Sequence, residues 1–215
     1  MDIWDSAVQT FAARGWIDPT RVGIVGFSRT GWYTEFTLAH SKVSYAAATA
    51  TDNITYSLGT YWLIHSEGAI RSYDAMYGGP PYLKTQENWQ KYSISFNVNK
   101  IHTPLLMEEM GYGALYDDAL RPPLNLTAHF ELFTGLNRLD KPVELYYYPL
   151  EEHAPDHPQA RLASLQRNVD WYRFWLQGFE RPGAQDPDQY VRWEHLRVLQ
   201  NREKNNGKSD KRAGQ

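Results

Sequence analysis

Cysteine is absent from the 215 residues, which excludes a disulfide framework, a thiol nucleophile and a thiolate metal site. Strong charge of either sign is missing too. A net charge of −3 and a pI near 6.2 give no long-range pull toward polyanions, so neither nucleic acid nor membrane is expected as a partner. No apolar run approaches the roughly 20 residues of a bilayer span, and Met1 to Ser6 carry acidic groups and no signal-peptide pattern. Internal repeats are lacking. His153 and His157 have no third ligand near them in sequence, so no metal or cofactor is expected. What is present, 42% hydrophobic and 22% charged residues, suits one globular domain with a substantial core.

The pattern along the chain is strand, helix, strand, helix. Trp4, Ala7, Val8 and Phe11 fall at helical spacing and Gly15 ends the run. A strand follows in Arg21-Val22-Gly23-Ile24-Val25-Gly26-Phe27, then a helical face of Trp32, Phe36 and Ala39, then a small-residue strand from Val43 to Thr51 ending at Asp52. Residues 53–102 are rich in Tyr, Trp, Gly and Pro and read as an irregular excursion over the sheet, its aromatic residues either lining a pocket or forming a small helical core. Leu105, Leu106 and Met107 form a short strand ending at Glu108-Glu109, and Asp117 and Asp118 lie in the next loop. After a helical face of Leu132, Phe133, Leu136 and Leu139 comes a strand from Val143 to Tyr148. Leu162, Leu165, Val169, Tyr172 and Leu176 keep helical spacing up to Gly178. Beyond a turn at Arg181-Pro182-Gly183, residues 181–200 suggest one more amphipathic helix, and the polar stretch 201–215 is expected to be disordered. A domain that opens on a helix leading into such a strand lacks the strands that would flank it, so an N-terminally incomplete domain over 1–180 is expected.

Ser28 lies where the first strand meets a helix, in Gly26-Phe27-Ser28-Arg29-Thr30-Gly31. This is the setting of a nucleophile elbow, a strained turn that lifts the serine hydroxyl clear of the sheet and crowds its neighbours. Gly26 meets the demand for a small residue; Thr30 does not. Acyl transfer by serine also needs a base, a carboxylate that orients it, and oxyanion donors. Ser28, Glu108 and His153 follow three successive strands in the nucleophile, acid, base order of the α/β-hydrolase fold, a mostly parallel doubly wound sheet. Glu109, Asp117 and Asp118 are alternative acids, and the backbone N–H of Arg29 is a candidate oxyanion donor.

Several segments carry a family likeness. Ile17-Asp18-Pro19-Thr20-Arg21-Val22-Gly23-Ile24, the elbow, Tyr77-Gly78-Gly79-Pro80-Pro81, Thr103-Pro104-Leu105-Leu106, Pro142-Val143-Glu144-Leu145 and Asn168-Val169-Asp170-Trp171-Tyr172 occur in one order over about 1–180. Together they resemble the catalytic domain of prolyl oligopeptidase family serine peptidases, and Gly26-Phe27-Ser28-Arg29-Thr30 with Trp32 resembles that family's lasso-peptide isopeptidase branch. The resemblance implies hydrolysis of peptide or isopeptide amide bonds, a peptide substrate, and an N-terminal β-propeller in a longer parent. It also implies a glutamate acid at the strand end, which Glu108 matches. A carboxylic-ester hydrolase of the same fold and a catalytically incomplete fragment are the alternatives.

Overall fold

The computed structural model describes residues 1–63, 67–111, 124–184 and 186–213. Its helices are α1 (Asp2–Ala13), α2 (Arg29–His40), α3 (Leu58–Leu63), α4 (Glu67–Tyr77), α5 (Gln86–Tyr92), α6 (Leu124–Arg138), α7 (Pro158–Gln177) and α8 (Gln189–Ala213). The strands are β1 (Gly23–Phe27), β2 (Ala47–Thr51), β3 (Leu105–Met110) and β4 (Val143–Tyr148), all parallel in the order β1-β2-β3-β4. Parallel neighbours need a crossover, and α2, the α3 to α5 segment and α6 supply the three. The excursion at 53–102 is thus a set of short helices with a buried aromatic core of Tyr73, Tyr77 and Trp89. Among the described residues no helix is long and apolar enough to cross a membrane.

Strand alternation divides the apolar side chains between two layers. Ala48, Ala50, Leu105, Met107 and Val143 pack with Trp32 and Leu38 of α2 and Leu132 and Leu136 of α6. Ala47 and Leu106 point the other way, against Trp171 and Phe174 of α7 and Tyr190, Trp193 and Leu196 of α8. β2 is alanine and threonine throughout, so helices close on it from both sides; the Trp171 indole reaches the Ala48 carbonyl at 3.1 Å.

Two findings go beyond the sequence reading here. The spacing of Leu162, Leu165 and Val169 correctly marks a helix, yet those residues are 54%, 61% and 48% exposed, whereas Trp171 and Phe174 are buried. Aromatic side chains bury roughly 150–250 Å² each, so the two rings set the helix rotation over the aliphatic stripe. The second finding concerns 201–215, whose backbone continues α8 as far as Ala213. Once Trp193 and Leu196 nucleate that helix, each further residue adds a hydrogen bond at little cost. Glu203 also ties it back to Lys141 and His102.

The elbow is held by short-range contacts. Ser28 has φ 55° and ψ −132°, a conformation that costs an L-residue of order 1–3 kcal/mol and persists only where the surroundings enforce it. Thr30, the residue that breaks the small-residue pattern, supplies part of that enforcement: its hydroxyl donates to the Phe27 carbonyl at 2.6 Å and accepts from the Phe27 N–H at 2.9 Å. Gly26 is indispensable for another reason, since a Cβ there would lie 2.1 Å from the Thr30 carbonyl oxygen.

Gly26→Ala is expected to destabilise the fold by about 3 kcal/mol or more, because backbone must move, and Thr30→Val by about 1 kcal/mol; thermal melts of the two variants should rank in that order. A second expectation concerns acid. Burial alone would raise the Asp170 carboxyl, but bonds from Arg181, Gln189 and Gln166 outweigh it and hold it below the usual range. A depressed folded pKa gives stability that is complete above the unfolded value and lost as pH falls through the folded one. Asp170→Asn should therefore lower the melting temperature at neutral pH and narrow its gap to the parent at the acid end of a pH series.

Candidate active site

Parallel strands deliver their C-terminal ends to one edge of the sheet, where ligand crevices form. Three polar residues meet there. Ser28 follows β1 directly, and the N–H of Arg29 opens α2 beneath it. Asp52 follows β2 directly with φ 44°, is 1% exposed, and accepts the Met110 N–H at 3.2 Å. His153 comes from the loop after β4, and its Nδ1 is hydrogen-bonded to Oδ2 of Asp52. The imidazole also lies against the ring of Phe27, the residue before the serine, with centroids 4.7 Å apart. A carboxylate on Nδ1 fixes the proton there and leaves Nε2 as the ring's acceptor.

The loop bearing His153 is braced from within. Buried Glu151 accepts the N–H groups of Asp156 and His157 at 3.1 and 3.2 Å and faces Nδ1 of His157 at 2.9 Å. Glu151, Asp156 and His157 are grouped tightly enough to hold a cation, but the Glu151 oxygens are already engaged with the loop backbone and the His157 ring.

Glu108 stands elsewhere, which corrects the expectation that its oxygen approaches His153. It shares the face of β3 that carries Leu106, and so points toward α7. There it accepts from Asn168 at 2.7 Å, Ser164 at 2.8 Å and Tyr148 at 2.9 Å, with Arg167 at 3.8 Å. Burial still lifts its carboxyl above the usual range despite those donors. The physical reason is the period of two: consecutive residues of a strand face opposite layers, so Glu108 and Glu109 cannot share a partner. Glu109 enters the α2 and α6 layer and touches Nδ1 of His129. Asp117 and Asp118 lie outside the described residues. Asp52 escaped the sequence reading, which took it only as the end of a strand; the available signal was an acid at the tip of the strand next to the nucleophile strand.

Arg29 holds its side chain beside the elbow by donating from Nη2 to the Tyr56 hydroxyl at 3.0 Å. Among the described residues no carboxylate pairs with it.

This geometry can be set beside known proteins. A match to the prolyl oligopeptidase family covers residues 4–179. The lasso peptide isopeptidase AtxE2 of Asticcacaulis excentricus is 35% identical over 196 residues, which are 86% of this chain and 25% of that protein. Its solved structures superpose well: a variant with Astexin3-dC4 bound gives a TM-score of 0.71 at 29% identity, over 92% of this chain and 28% of that one. An acylaminoacyl peptidase of Pyrococcus horikoshii shares the fold, with a TM-score of 0.66 at 21% identity over 84% of this chain and 28% of that one. The chain thus spans about a quarter of the length of these relatives, and the sheet is that of the α/β-hydrolase peptidases. With the elbow, the strand order and the family match falling on the same residues, the chain belongs to the prolyl oligopeptidase family of serine peptidases.

Proposed function

We propose that this chain carries the acyl-transfer centre of a peptidase that opens peptide or isopeptide amide bonds, with Ser28 as nucleophile, His153 as base and Asp52 as the carboxylate that orients the base. The observation that carries this reading is the bond from His153 Nδ1 to buried Asp52, made while the same ring rests on Phe27 at the elbow. The Ser28 hydroxyl loses its proton to Nε2 as its oxygen attacks the carbonyl carbon. Asp52 stabilises the imidazolium that forms, and the N–H of Arg29 donates to the developing oxyanion. The imidazolium then returns the proton to the departing amine, which leaves an acyl-enzyme that water, activated by the same ring, hydrolyses. The amide is favoured over an ester by the 35% identity to a lasso peptide isopeptidase, and a threaded peptide closed by an isopeptide bond is the substrate class that relative suggests. The relatives' greater length leaves room for the β-propeller that the family resemblance implies.

Ser28→Ala should abolish labelling by a fluorophosphonate probe without altering the melt. Asp52→Asn is expected to lower the labelling rate by about 10³- to 10⁴-fold, the loss typical when a triad base is held in the wrong tautomer. Glu108→Gln should change the rate little and the stability more, because it sits among the donors of α7. If Glu108→Gln stops labelling and Asp52→Asn does not, Glu108 is the acid after all. Parallel assays on an amide and its matching ester separate peptidase from esterase.

A further inference from the structure

Beside the elbow, the side chains of Arg29 and Tyr56 offer hydrogen-bond donors that the described residues do not use. Nη2 of Arg29 donates to the Tyr56 hydroxyl at 3.0 Å, and the guanidinium carbon lies 5.8 Å from the centre of that ring, within reach of a cation–π attraction. A phenol that accepts a hydrogen bond still has its own O–H to donate, and none of the described residues accepts it. The guanidinium is equally unspent: of its fork of N–H donors one is engaged by Tyr56, and no carboxylate among the described residues pairs with it. Tyr56 itself is firmly held. It is buried, and its φ of 49° is one that a bulky residue keeps only where the surroundings enforce it. Three aromatic side chains do so. The Tyr77 hydroxyl donates to the Tyr56 carbonyl at 2.8 Å, and the Tyr56 ring lies 5.5 Å from that of Trp32 and 4.9 Å from that of Tyr73, centre to centre. The phenol is thus a rigid post and a neutral one, which steadies the guanidinium without cancelling its charge.

We propose that Arg29 and Tyr56 form a carboxylate-recognition subsite, with Arg29 as a specificity-determining residue: its side chain selects peptides that carry a carboxylate, from an acidic side chain or a chain terminus, close to the amide to be cleaved. One oxygen of that carboxylate accepts from the guanidinium and the other from the Tyr56 O–H, so both unused donors gain a partner. The closeness follows from the sequence. Arg29 is the residue after Ser28, so its guanidinium stands off from the attacked carbonyl by no more than its own side-chain length, about two residues of extended peptide. Backbone and side chain then have separate tasks, the N–H serving the oxyanion and the guanidinium serving the choice of substrate. Arg29 is exposed, so the selection expected is that of a solvent-accessible ion pair, about fivefold.

The proposal rests on the reading of Ser28 as nucleophile, so one arm of its test measures binding alone. Peptides acetylated and amidated at their ends, with a single Glu or Gln stepped through the positions on either side of one amide, are titrated into the Ser28→Ala chain and offered to the parent for cleavage. A Gln peptide with a free C-terminus tests the terminal source. At least one Glu peptide, or the free-terminus peptide, should bind about fivefold more tightly than its neutral counterpart, with kcat/KM in the parent rising by a similar factor. Adding Arg29→Gln should remove that preference, Arg29→Lys should restore part of it, and Tyr56→Phe should reduce it, because acceptor and donor leave with one hydroxyl. Salt should weaken the preference as it screens the pair. A preference carried by the free terminus alone supports the proposal with the terminal carboxylate as the source; one carried by an internal Glu supports it with the side chain. Equal binding of every Glu and Gln pair and of the two termini overturns it, and so does a preference that survives Arg29→Gln. Selective binding with no cleavage by the parent counts against the triad and leaves the subsite standing.

Discussion

Two backbone bonds fix the site. The N–H of Ser28 donates to the Thr51 carbonyl at 2.9 Å, and the N–H of Asp52 donates to the Glu108 carbonyl at 2.7 Å. Each extends the parallel ladder one step beyond its strand, so β1, β2 and β3 end in step and the residues after them are delivered to one edge. That register brings a serine and an aspartate 24 positions apart to one edge, with the aspartate on the His153 imidazole and Phe27, the residue before the serine, against its ring. It depends in turn on β2 being small. With Ala47, Ala48 and Ala50 fully buried, α2 and α7 both approach the strand closely. A larger side chain there would push a helix away and disturb the ladder bonds above it.

The interior is unusually rich in acid. Glu35, Glu108 and Glu109 are 0% exposed and Asp52 and Asp170 are 1% exposed, and each is made tolerable in a different way. Asp170 is paired with Arg181 and Glu108 is surrounded by three uncharged donors, whereas Asp52 accepts the Met110 N–H and faces the His153 imidazole. On the α2 and α6 side, burial raises the Glu35 and Glu109 carboxyls above their usual range. Glu108 takes its donors from α7 and so fastens that helix to the sheet, whereas Glu35 and Glu109 lie in the opposite layer beside His129.

Much of this was legible in the sequence. Periodicity located the four strands and the helices between them, and the small residues around Ser28 identified the turn. His153 was singled out by its place after the last strand, and it lies against Asp52. Glu108 was expected beside His153 and lies in the other layer, because sequence order ranks candidates by which strand they follow, while the pleat decides which layer a side chain enters. Glu108 and Glu109 are adjacent in the chain and on opposite sides of the sheet. The rotation of α7 was likewise set by two aromatic rings and a buried polar cluster, contributions that a count of aliphatic residues at helical spacing leaves out. The length of α8 was underestimated for a simpler reason, since a polar sequence remains helical when its first turns are anchored.

Phe27 has two roles that meet in one side chain. It lies against the imidazole of His153, and it belongs to β1, the strand that ends at Ser28. The ring that backs His153 is therefore part of the strand that carries the elbow. A shift of β1 would move the serine and the surface on which the imidazole rests together, so the two stay in step through a single phenyl ring.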